Sequence, residues 1–267
     1  MEMKTYLDLL KILPKTNCKE CGEASCLLFA LKVFSGQTSL EKCPYLDQDL
    51  FPQRTSLKGL SFNQTLENLK ILREKFQSLD DFIERAQDLG CEPESTGRGV
   101  LLPYLDWLIR IEVNQEGHPT QLVNLSGETL DPRDEILLCN YFIFNGKEPL
   151  TMDFVGLESF PHSISKVKTL KIYGEDPLVE LFTQNQPKLR SILQRFRVKD
   201  FQKDTHGFSF LVSILPKVIL KVVYWEGDPE DGLPPGGKVL YDRVALNYLD
   251  LECLVFCAER FAERLRC

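Results

Sequence analysis

Four cysteines that lie close together constrain the fold of this chain more than any other sequence feature. They are Cys18, Cys21, Cys26 and Cys43, spaced C-x2-C-x4-C-x16-C, with Pro44 directly after the last. Four thiolates in a short segment suit a soft metal centre. Zinc usually occupies paired Cys-x2-Cys knuckles, and only the first pair here is one. Iron–sulfur clusters also take four cysteines, and a Cys-Pro ending occurs in bacterial ferredoxins. The spacing favours an iron–sulfur cluster, with structural zinc as the alternative.

The residues around the cysteines predict local elements that let the four sulfurs converge. A first helix ends at Pro14, so the first two cysteines follow on a loop. Gly22 permits a tight turn in that loop. Residues 24–35 are predicted to form a second helix that carries Cys26 on its first turn. The side chains predicted to face inward from this helix are Leu28, Leu31 and Val33.

The cysteines belong to a longer residue pattern. Residues 13–26 read LPKTNCKECGEASC, and residues 40–44 read LEKCP. This pattern resembles the small four-iron four-sulfur domain of corrinoid iron–sulfur proteins and, more loosely, the electron-transport complex subunit RnfB. The resemblance covers residues 5 to about 50, and all four ligand positions match. It implies a [4Fe–4S] cluster bound by Cys18, Cys21, Cys26 and Cys43.

Composition and charge argue against several classes of partner. The 267 residues include 39 Asp and Glu against 32 Lys and Arg, which gives a net charge of −7 and a pI near 5.2. Nucleic acid is not expected as a partner, because phosphate backbones are bound by basic surfaces. A membrane is not expected either, since the most apolar run, Val218–Trp225, falls short of the ~20 residues of a membrane helix. Asp8 and Lys11 interrupt any signal-peptide core, so a cytoplasmic location is expected.

A second periodic segment follows the cysteine region. Residues 66–86 carry apolar side chains at every third or fourth position, the pattern of one amphipathic helix. These side chains are Leu69, Leu72, Phe76, Leu79 and Ile83. The stripe is too short for a convincing coiled coil, so docking onto a domain is favoured over dimerisation. We therefore expect a [4Fe–4S] cluster domain at 1–60, an amphipathic linker helix at 61–95 and an α+β domain of unknown function at 96–267.

The predicted fold class is α+β. A small helical cluster domain is joined by the amphipathic helix to a mixed α/β domain with antiparallel strands. Predicted strands are Trp107–Val113, Gln121–Leu125, Phe208–Leu215 and Val218–Trp225, from their alternation or their β-branched and aromatic content. Predicted helices are Asp134–Phe144, Leu178–Thr183, Leu189–Phe196 and Leu246–Leu265. A strand remains the alternative for Asp134–Phe144.

Part of the second domain also resembles a known family. Residues 137–150, 224–228 and 239–242 resemble an uncharacterised-domain family described as one of candidate iron–sulfur cluster proteins, over residues 96–265. That family carries a Phe-Arg-Glu-Leu-Pro-like signature after its first buried helix. The corresponding stretch here, residues 154–161, lacks the arginine. The resemblance implies no established reaction.

Other candidate sites are weaker. Cys253 and Cys257 lie four residues apart on a predicted helix, and packing in the core explains this spacing. No function is assigned to Cys91, Cys139 or Cys267. Residues 232–238 match the phosphate-loop spacing G-x4-G-K. We interpret this match as coincidental, because the two prolines lack N–H donors and a strand rather than a helix follows.

One acidic group in the second domain could support acid–base chemistry. Glu226, Asp228 and Asp242 are near one another in sequence, and they would act together only if they converged in a dry pocket. A solvated turn is the simpler interpretation. Tyr224 and Trp225 are candidate walls for a flat ligand.

The cysteine cluster predicts a one-electron carrier, and the resemblance of residues 5–50 implies that its potential is low. No catalytic residue is assigned, and the redox partner suggested by the resemblance is a corrinoid protein or methyltransferase in the one-carbon metabolism of an anaerobe. Whether the chain is itself an enzyme stays open. One alternative is an enzyme whose C-terminal domain binds a substrate or cofactor that is reduced through the cluster. The other is a carrier that delivers clusters to acceptor proteins.

Overall fold

A computed structural model describes most of the chain. The described residues are 9–10, 12–23, 25–34, 38, 42–46, 69–95, 97–185, 189–228 and 232–266. The chain divides into two compact units, residues 1–68 and residues 69–267. Residues from 69 onward that the sequence predicts as a linker therefore fold as part of the C-terminal unit. The predicted boundary at residue 60 lies outside the described residues.

The N-terminal unit contains helix α1 (Cys26–Phe34). It begins two residues later than predicted, because Ser25 acts as its N-cap and accepts the N–H of Leu28 on Oγ at 3.1 Å. The buried side chains of α1 are Cys26, Phe29, Ala30 and Val33. The inward prediction is confirmed for Val33 and is wrong for Leu28, which is exposed. The side chain of Leu31 lies outside the described part of the chain.

The helix predicted over residues 66–86 is wrong as a single element. Helix α2 spans residues 69–77, and helix α3 (Phe82–Asp88) follows after a short break. At the break, the Ser78 hydroxyl donates to the main-chain oxygen of Lys75 at 2.9 Å. Such local side-chain bonds compete with helix continuation, which explains why the chain turns here.

The break also changes which residues face the core. Phe82 and Ala86 are buried, whereas Ile83, predicted to face inward, is 39% exposed. The rings of Phe76 and Phe82 lie 5.7 and 5.1 Å from that of Phe142, measured between centroids. The predicted docking of this segment onto a domain is therefore confirmed, and the domain is the C-terminal unit.

A four-stranded antiparallel sheet follows these helices. Its strands are β1 (Glu92–Pro93), β2 (Gly99–Tyr104), β3 (Trp107–Val113) and β4 (Pro119–Asn124), in that spatial order. The two strands predicted in this region are confirmed as the neighbours β3 and β4, with Ile111 opposite Leu122. Strand β2 was not predicted, and Pro103 within it is a residue that normally argues against a strand.

Helix α4 (Pro132–Phe144) confirms the buried helix predicted there. Its start is set by a capping box. The Asp131 Oδ1 atom accepts the N–H of Arg133 at 2.8 Å, and Asp134 Oδ2 accepts the N–H of Asp131 at 2.9 Å. Proline at the first helical position costs nothing there, because that N–H has no intrahelical partner.

A five-stranded antiparallel sheet is the larger of the two sheets described in the C-terminal unit. Its strands are β5 (Phe154–Gly156), β6 (Val198–Lys203), β7 (Gly207–Leu215), β8 (Val218–Trp225) and β9 (Gly236–Asp242). Their spatial order is β5-β9-β8-β7-β6. The predicted hairpin of β7 and β8 is confirmed, with Phe210 opposite Val222.

Four further α-helices lie in the described residues of this unit. They are α5 (Ile164–Leu170), α6 (Asp176–Asn185), α7 (Leu189–Leu193) and α8 (Leu251–Arg266), and a π-helical turn (Lys171–Glu175) joins α5 to α6. The three helices predicted in this region are confirmed with shifted ends. Helices and antiparallel sheets together make the C-terminal unit α+β, as predicted.

Two arginines of α8 form buried ion pairs across this unit. Arg260 donates from Nε and Nη2 to the two carboxylate oxygens of Asp134 at 2.7 and 2.9 Å, and Tyr104 donates to the same carboxylate at 2.6 Å. Arg264 donates to both oxygens of Asp106 at 3.0 and 2.9 Å. The pairs join residues 126 and 158 positions apart, so no local pattern indicates them.

Candidate metal centre

The loop before α1 has an unusual backbone. Lys15, Asn17 and Lys19 all have positive φ, of 56°, 50° and 65°. Residues other than glycine rarely adopt this left-handed backbone region, and asparagine is among those that tolerate it best. Alternation of left-handed residues with others turns successive N–H groups towards one side of the chain, an arrangement found around anions and iron–sulfur sites. The loop that carries Cys18 contains three such left-handed residues within five positions.

Gly22 closes this loop as the sequence predicts. Its φ is +83°, and its N–H donates to the Lys19 carbonyl at 2.9 Å. A Cβ atom at this position would meet nothing within 4 Å, so the glycine is required by the backbone turn rather than by crowding. The turn follows Cys21 directly and directs the chain back towards α1.

Cys26 is held at the N-terminus of α1 by two hydrogen bonds that involve other residues. Its own N–H donates to Asn17 Oδ1 at 2.8 Å, and the Ser25 cap holds the first turn. The first four N–H groups of a helix have no intrahelical partner, so Asn17 satisfies one that would otherwise be unpaired.

A third hydrogen bond joins the segment of Cys43 to the loop of the first two cysteines. The Tyr45 hydroxyl donates to Glu20 Oε1 at 2.8 Å. This hydrogen bond and the charge of Glu20 raise the pKa of Tyr45, with smaller contributions from the Cys18 and Cys43 thiols. The hydrogen bond thus ties Tyr45, two residues after Cys43, to Glu20, which lies between Cys18 and Cys21 in the sequence.

The four thiols differ in exposure. Cys26 and Cys43 are 7% and 6% exposed and belong to one apolar cluster with Leu9, Leu13, Phe29, Ala30 and Val33. Cys21 packs against this cluster, whereas Cys18 is exposed. Three of the four predicted ligands thus share one apolar environment, and the fourth faces solvent.

This donor set fits an iron–sulfur cluster in its chemistry. Soft thiolates are its ligands, and an apolar surrounding protects it from water. Among the described residues, no three His, Cys, Asp or Glu side chains are arranged to hold a metal ion, so the four thiols do not form a finished cage. Binding free energy commonly supplies such final ordering in proteins that fold around a metal.

The sequence reasoning missed four residues that shape this region: Asn17, Glu20, Ser25 and Tyr45. Ser25 could have been found, because serine directly before a helix is a usual N-cap. The Asn17–Cys26 and Tyr45–Glu20 hydrogen bonds have no such signal, because they join residues 9 and 25 positions apart, respectively.

Comparison with known families covers both units. A family model described as "Domain of unknown function (DUF3786)" matches residues 81–264, which is more than half of the chain. The chain belongs to the DUF3786 family. A second family model, described as "Putative Fe-S cluster", matches residues 13–45 and so includes all four cysteines. This match supports an iron–sulfur cofactor. No solved structure matches the chain at a significant level.

Short alignments connect the N-terminal region of this DUF3786 protein to larger proteins. It is 52% identical over 42 residues to the corrinoid/iron-sulfur protein large subunit of Moorella thermoacetica, which is 16% of this chain and 9% of that protein. It is 43% identical over 56 residues to the acetyl-CoA decarbonylase/synthase complex subunit gamma of Methanothermobacter thermautotrophicus, with coverage of 21% and 12%. The gamma subunit of Methanocaldococcus jannaschii is 44% identical over 45 residues, with coverage of 17% and 9%. The chain thus spans about a tenth of the length of these relatives.

The remaining thiols of the DUF3786 part are buried. Cys253 and Cys257 are fully buried, as predicted for core packing, and Asn140 donates to the Cys253 sulfur at 3.2 Å. Burial raises the pKa of Cys91 and of Cys139 to about 12. Thiols of this kind are inert at neutral pH. Cys267 lies outside the described residues.

The acidic residues considered for acid–base chemistry do not converge. Glu226 follows the end of β8, whereas Asp242 ends β9 at the opposite end of the same hairpin, roughly 20 Å away along the strands. Asp242 is buried and accepts N–H groups from Met152 and Val244 at 2.7 and 3.1 Å. It organises a turn, and the acid–base hypothesis finds no support.

The phosphate-loop spacing is also coincidental, as predicted. Gly236 begins β9, and the strand continues through Lys238 and Val239. The Lys238 ammonium pairs with Glu158 at 3.2 Å. A phosphate loop needs a helix at this point, and a strand is present.

None of the helices in the described residues has the length and apolar character needed to cross a bilayer.

Proposed function

We propose that this chain is an iron–sulfur protein that passes single electrons to a partner protein. Cys18, Cys21, Cys26 and Cys43 would ligate a [4Fe–4S] cluster, which supplies one-electron chemistry when bound. The observation that carries the proposal is the shared apolar environment of Cys21, Cys26 and Cys43 together with the exposure of Cys18. The family match over residues 13–45 supports it.

The surrounding residues have separable roles in this proposal. The apolar side chains around Cys26 and Cys43 exclude water from the buried side of the site. The Asn17 and Ser25 side chains accept N–H groups at the start of α1 and so hold the backbone of Cys26 in place. The exposed Cys18 keeps one edge of the site at the protein surface, where a redox partner can approach.

The partner proposal rests on similarity alone. The printed names of the relatives include a corrinoid/iron-sulfur protein and a subunit of an acetyl-CoA decarbonylase/synthase complex. We therefore propose a corrinoid protein or methyltransferase of anaerobic one-carbon metabolism as the redox partner. Shared sequence in one small region does not by itself carry over a partner, so this part requires its own experiment.

The cluster is tested by anaerobic purification followed by iron and sulfide determination and low-temperature EPR of the dithionite-reduced protein. We expect about four irons and four sulfides per chain. Cys26→Ser should lose or alter the reduced-state signal. The matched control is Cys91→Ser, a buried cysteine of the other unit, which should leave iron, sulfide and EPR signal unchanged. Zinc without sulfide would replace the proposal with a structural zinc site.

Electron transfer is tested separately with a purified corrinoid protein in its Co(II) state. The reduced protein should produce the Co(I) absorption spectrum, and the Cys26→Ser variant should not. A protein with an intact cluster and no transfer would contradict the corrinoid partner and leave the cluster standing. Transfer of iron and sulfide to a cluster-free ferredoxin, without Co(I) formation, would identify a carrier instead.

A further inference from the structure

An open groove lies on the five-stranded sheet, in the C-terminal unit. It encloses about 550 Å³ at the ends of β6, β7 and β8. Its lining side chains include Gln202, Lys203, Asp204, His206, Ser209 and Trp225. Small-molecule sites usually have volumes of about 300–1,000 Å³ and a few convergent polar groups. The groove has both properties and no role in the proposed cluster site.

Trp225 is held flat at one side of the groove. A Cβ atom on Gly236, its partner on β9, would lie only 2.4–2.5 Å from atoms of the indole ring. The ring therefore rests directly on the glycine backbone, which fixes its orientation. Trp225 is nonetheless 44% exposed. One face of the indole is supported by the sheet, and the other is available to a ligand.

The residue beside Trp225 on the neighbouring strand has no side chain. Gly207 pairs with Trp225 on the β7 side, and a Cβ atom there would lie 2.0 Å from the carbonyl oxygen of Tyr224. No side chain can occupy this position without moving the strands. The groove next to Trp225 is therefore kept open by the close approach of two strands.

The loop that forms the far wall is already ordered. Asp204 Oδ1 accepts the N–H groups of His206 and Gly207 at 2.8 and 2.9 Å. The N–H of Glu226 donates to the carbonyl of His206 at 2.7 Å, which ties the loop to the end of β8. A preformed wall reduces the entropy lost when a ligand binds.

We propose that this groove binds a small molecule with a planar heteroaromatic ring, stacked on the exposed face of Trp225. The Gln202 amide, Ser209 hydroxyl and His206 imidazole can donate to and accept from ring heteroatoms. Lys203 and Asp204 carry opposite charges, so the groove does not select a strongly charged ligand. Tyr224, the other wall expected from the sequence, also lines the groove, but its side chain is buried and its hydroxyl lies 3.1 Å from that of Thr183.

The probe for this proposal is riboflavin, an uncharged planar heteroaromatic compound. Binding is measured in the dark by quenching of riboflavin and protein fluorescence. The chain has two tryptophans, and Trp107 is buried, so a change in exposed tryptophan emission reports on Trp225. We expect saturable binding that Trp225→Ala weakens by about tenfold or more, because stacking on an aromatic ring is lost. Trp225→Phe should weaken it less.

Controls separate this site from the cluster and from general aromatic exposure. Tyr173→Ala removes a similarly exposed aromatic side chain outside the groove and should leave the affinity unchanged. Cys26→Ser should also bind riboflavin normally, so failure of the cluster proposal does not affect this test. If Trp225→Ala alters the melting temperature, Gln202→Ala serves as the second variant and should weaken binding with normal folding.

Three results would overturn the proposal. The first is the absence of saturable binding of riboflavin, neopterin and adenosine up to ~1 mM, a concentration that corresponds to only about −4 kcal/mol. The second is equal riboflavin affinity in the parent, Trp225→Ala and Gln202→Ala proteins. The third is binding of a non-aromatic sugar such as glucose with the same dependence on Trp225, which would assign the groove to another ligand class.

Discussion

The side chain of Asn17 holds the backbone of Cys26. Its Oδ1 atom accepts the Cys26 N–H at 2.8 Å, across nine residues of sequence. Asn17 itself has a φ of 50°, a conformation that asparagine adopts more readily than other side chains. One residue thus fixes both the shape of the loop that carries Cys18 and the start of the helix that carries Cys26.

This relationship predicts a specific defect in Asn17→Ala. The helix loses a partner for its first N–H, and alanine is strained at positive φ, so the N-terminal unit should be destabilised by ~1 kcal/mol. Iron content after anaerobic purification should fall, and the bound cluster should be lost to a chelator several times faster than in the parent protein. The readout is iron release followed by absorbance.

Two variants make this prediction specific. Asn17→Asp keeps an acceptor oxygen and tolerates the same φ, so it should retain more iron than Asn17→Ala. Thr16→Ala changes the neighbouring exposed residue and should behave like the parent. Equal iron release in all four proteins would show that the hydrogen bond does not position Cys26.

The cysteines should react with iodoacetamide in a fixed order in cluster-free protein. Cys18 is exposed and should be alkylated first at pH 8. Burial raises the pKa of Cys91 and Cys139 to about 12, which leaves roughly one thiolate in 10⁴ at this pH. Peptide mass spectrometry should therefore find Cys91 and Cys139 unmodified until denaturant is added. Cluster reconstitution before alkylation should protect Cys18, and a Cys18 that reacts equally with and without cluster would count against its role as a ligand.

Glu175 should make stability depend on pH. It is buried at the end of the π-helical turn and accepts the Val239 N–H at 3.1 Å. Burial raises its pKa, despite the opposing effects of that hydrogen bond and of Lys238. The folded state therefore binds its proton more tightly than the unfolded state, so stability falls as pH rises above about 4.3. Glu175→Gln should be more stable than the parent at pH 7 and equal to it near pH 4.

Thermal melts of the two proteins between pH 4 and 8 test this difference. Glutamine keeps the acceptor for the Val239 N–H and removes the buried charge, so any gain reports on ionisation. The control is Glu180→Gln, an exposed residue paired with Arg266 at the surface, which should change the melting temperature little. A Glu175→Gln protein that is less stable at pH 7 would show that the Lys238 pairing outweighs the burial of the charge.

Arg260→Met should strongly destabilise the C-terminal unit. Asp134 is fully buried, and removal of Arg260 leaves its carboxylate without a cation. Breaking one side of such a pair typically costs about 3–5 kcal/mol. Urea unfolding followed by circular dichroism measures the effect. Arg266→Met, on the same helix but half exposed, should cost less than about 1 kcal/mol.

Local patterns predicted the elements whose signals lie within a few residues. The alternation of Trp107–Val113, the β-branched run of Val218–Trp225 and the apolar run of Asp134–Phe144 each belong to one short segment, and the corresponding elements formed. The continuous helix over 66–86 was wrong, because its apolar spacing passes through the break after Ser78. Apolar side chains at helical spacing indicate which residues are buried. They do not show that these residues belong to one unbroken helix.

Long-range contacts were beyond such reasoning. Arg260 and Asp134 have the appearance of ordinary surface residues in the sequence, yet they form a buried pair. Asp242 is a second example. Its sequence context suggests a candidate acid, but in the folded chain its carboxylate accepts hydrogen bonds from residues 151 and 152. Charge, spacing and residue type can be read from the sequence, whereas the burial of a side chain depends on which distant segment of the chain packs against it.

For the candidate metal centre, residue type and spacing indicated four candidate thiols and a soft metal centre, with iron–sulfur favoured over zinc, because ligand chemistry is a property of the side chains themselves. Folding then settled which thiols are buried and which is exposed. Cys26 and Cys43 are enclosed by the side chains of Leu9, Leu13 and Phe29, and Cys18 is left at the surface. That difference arises from contacts among segments that are separate in sequence, so it exists only in the folded chain.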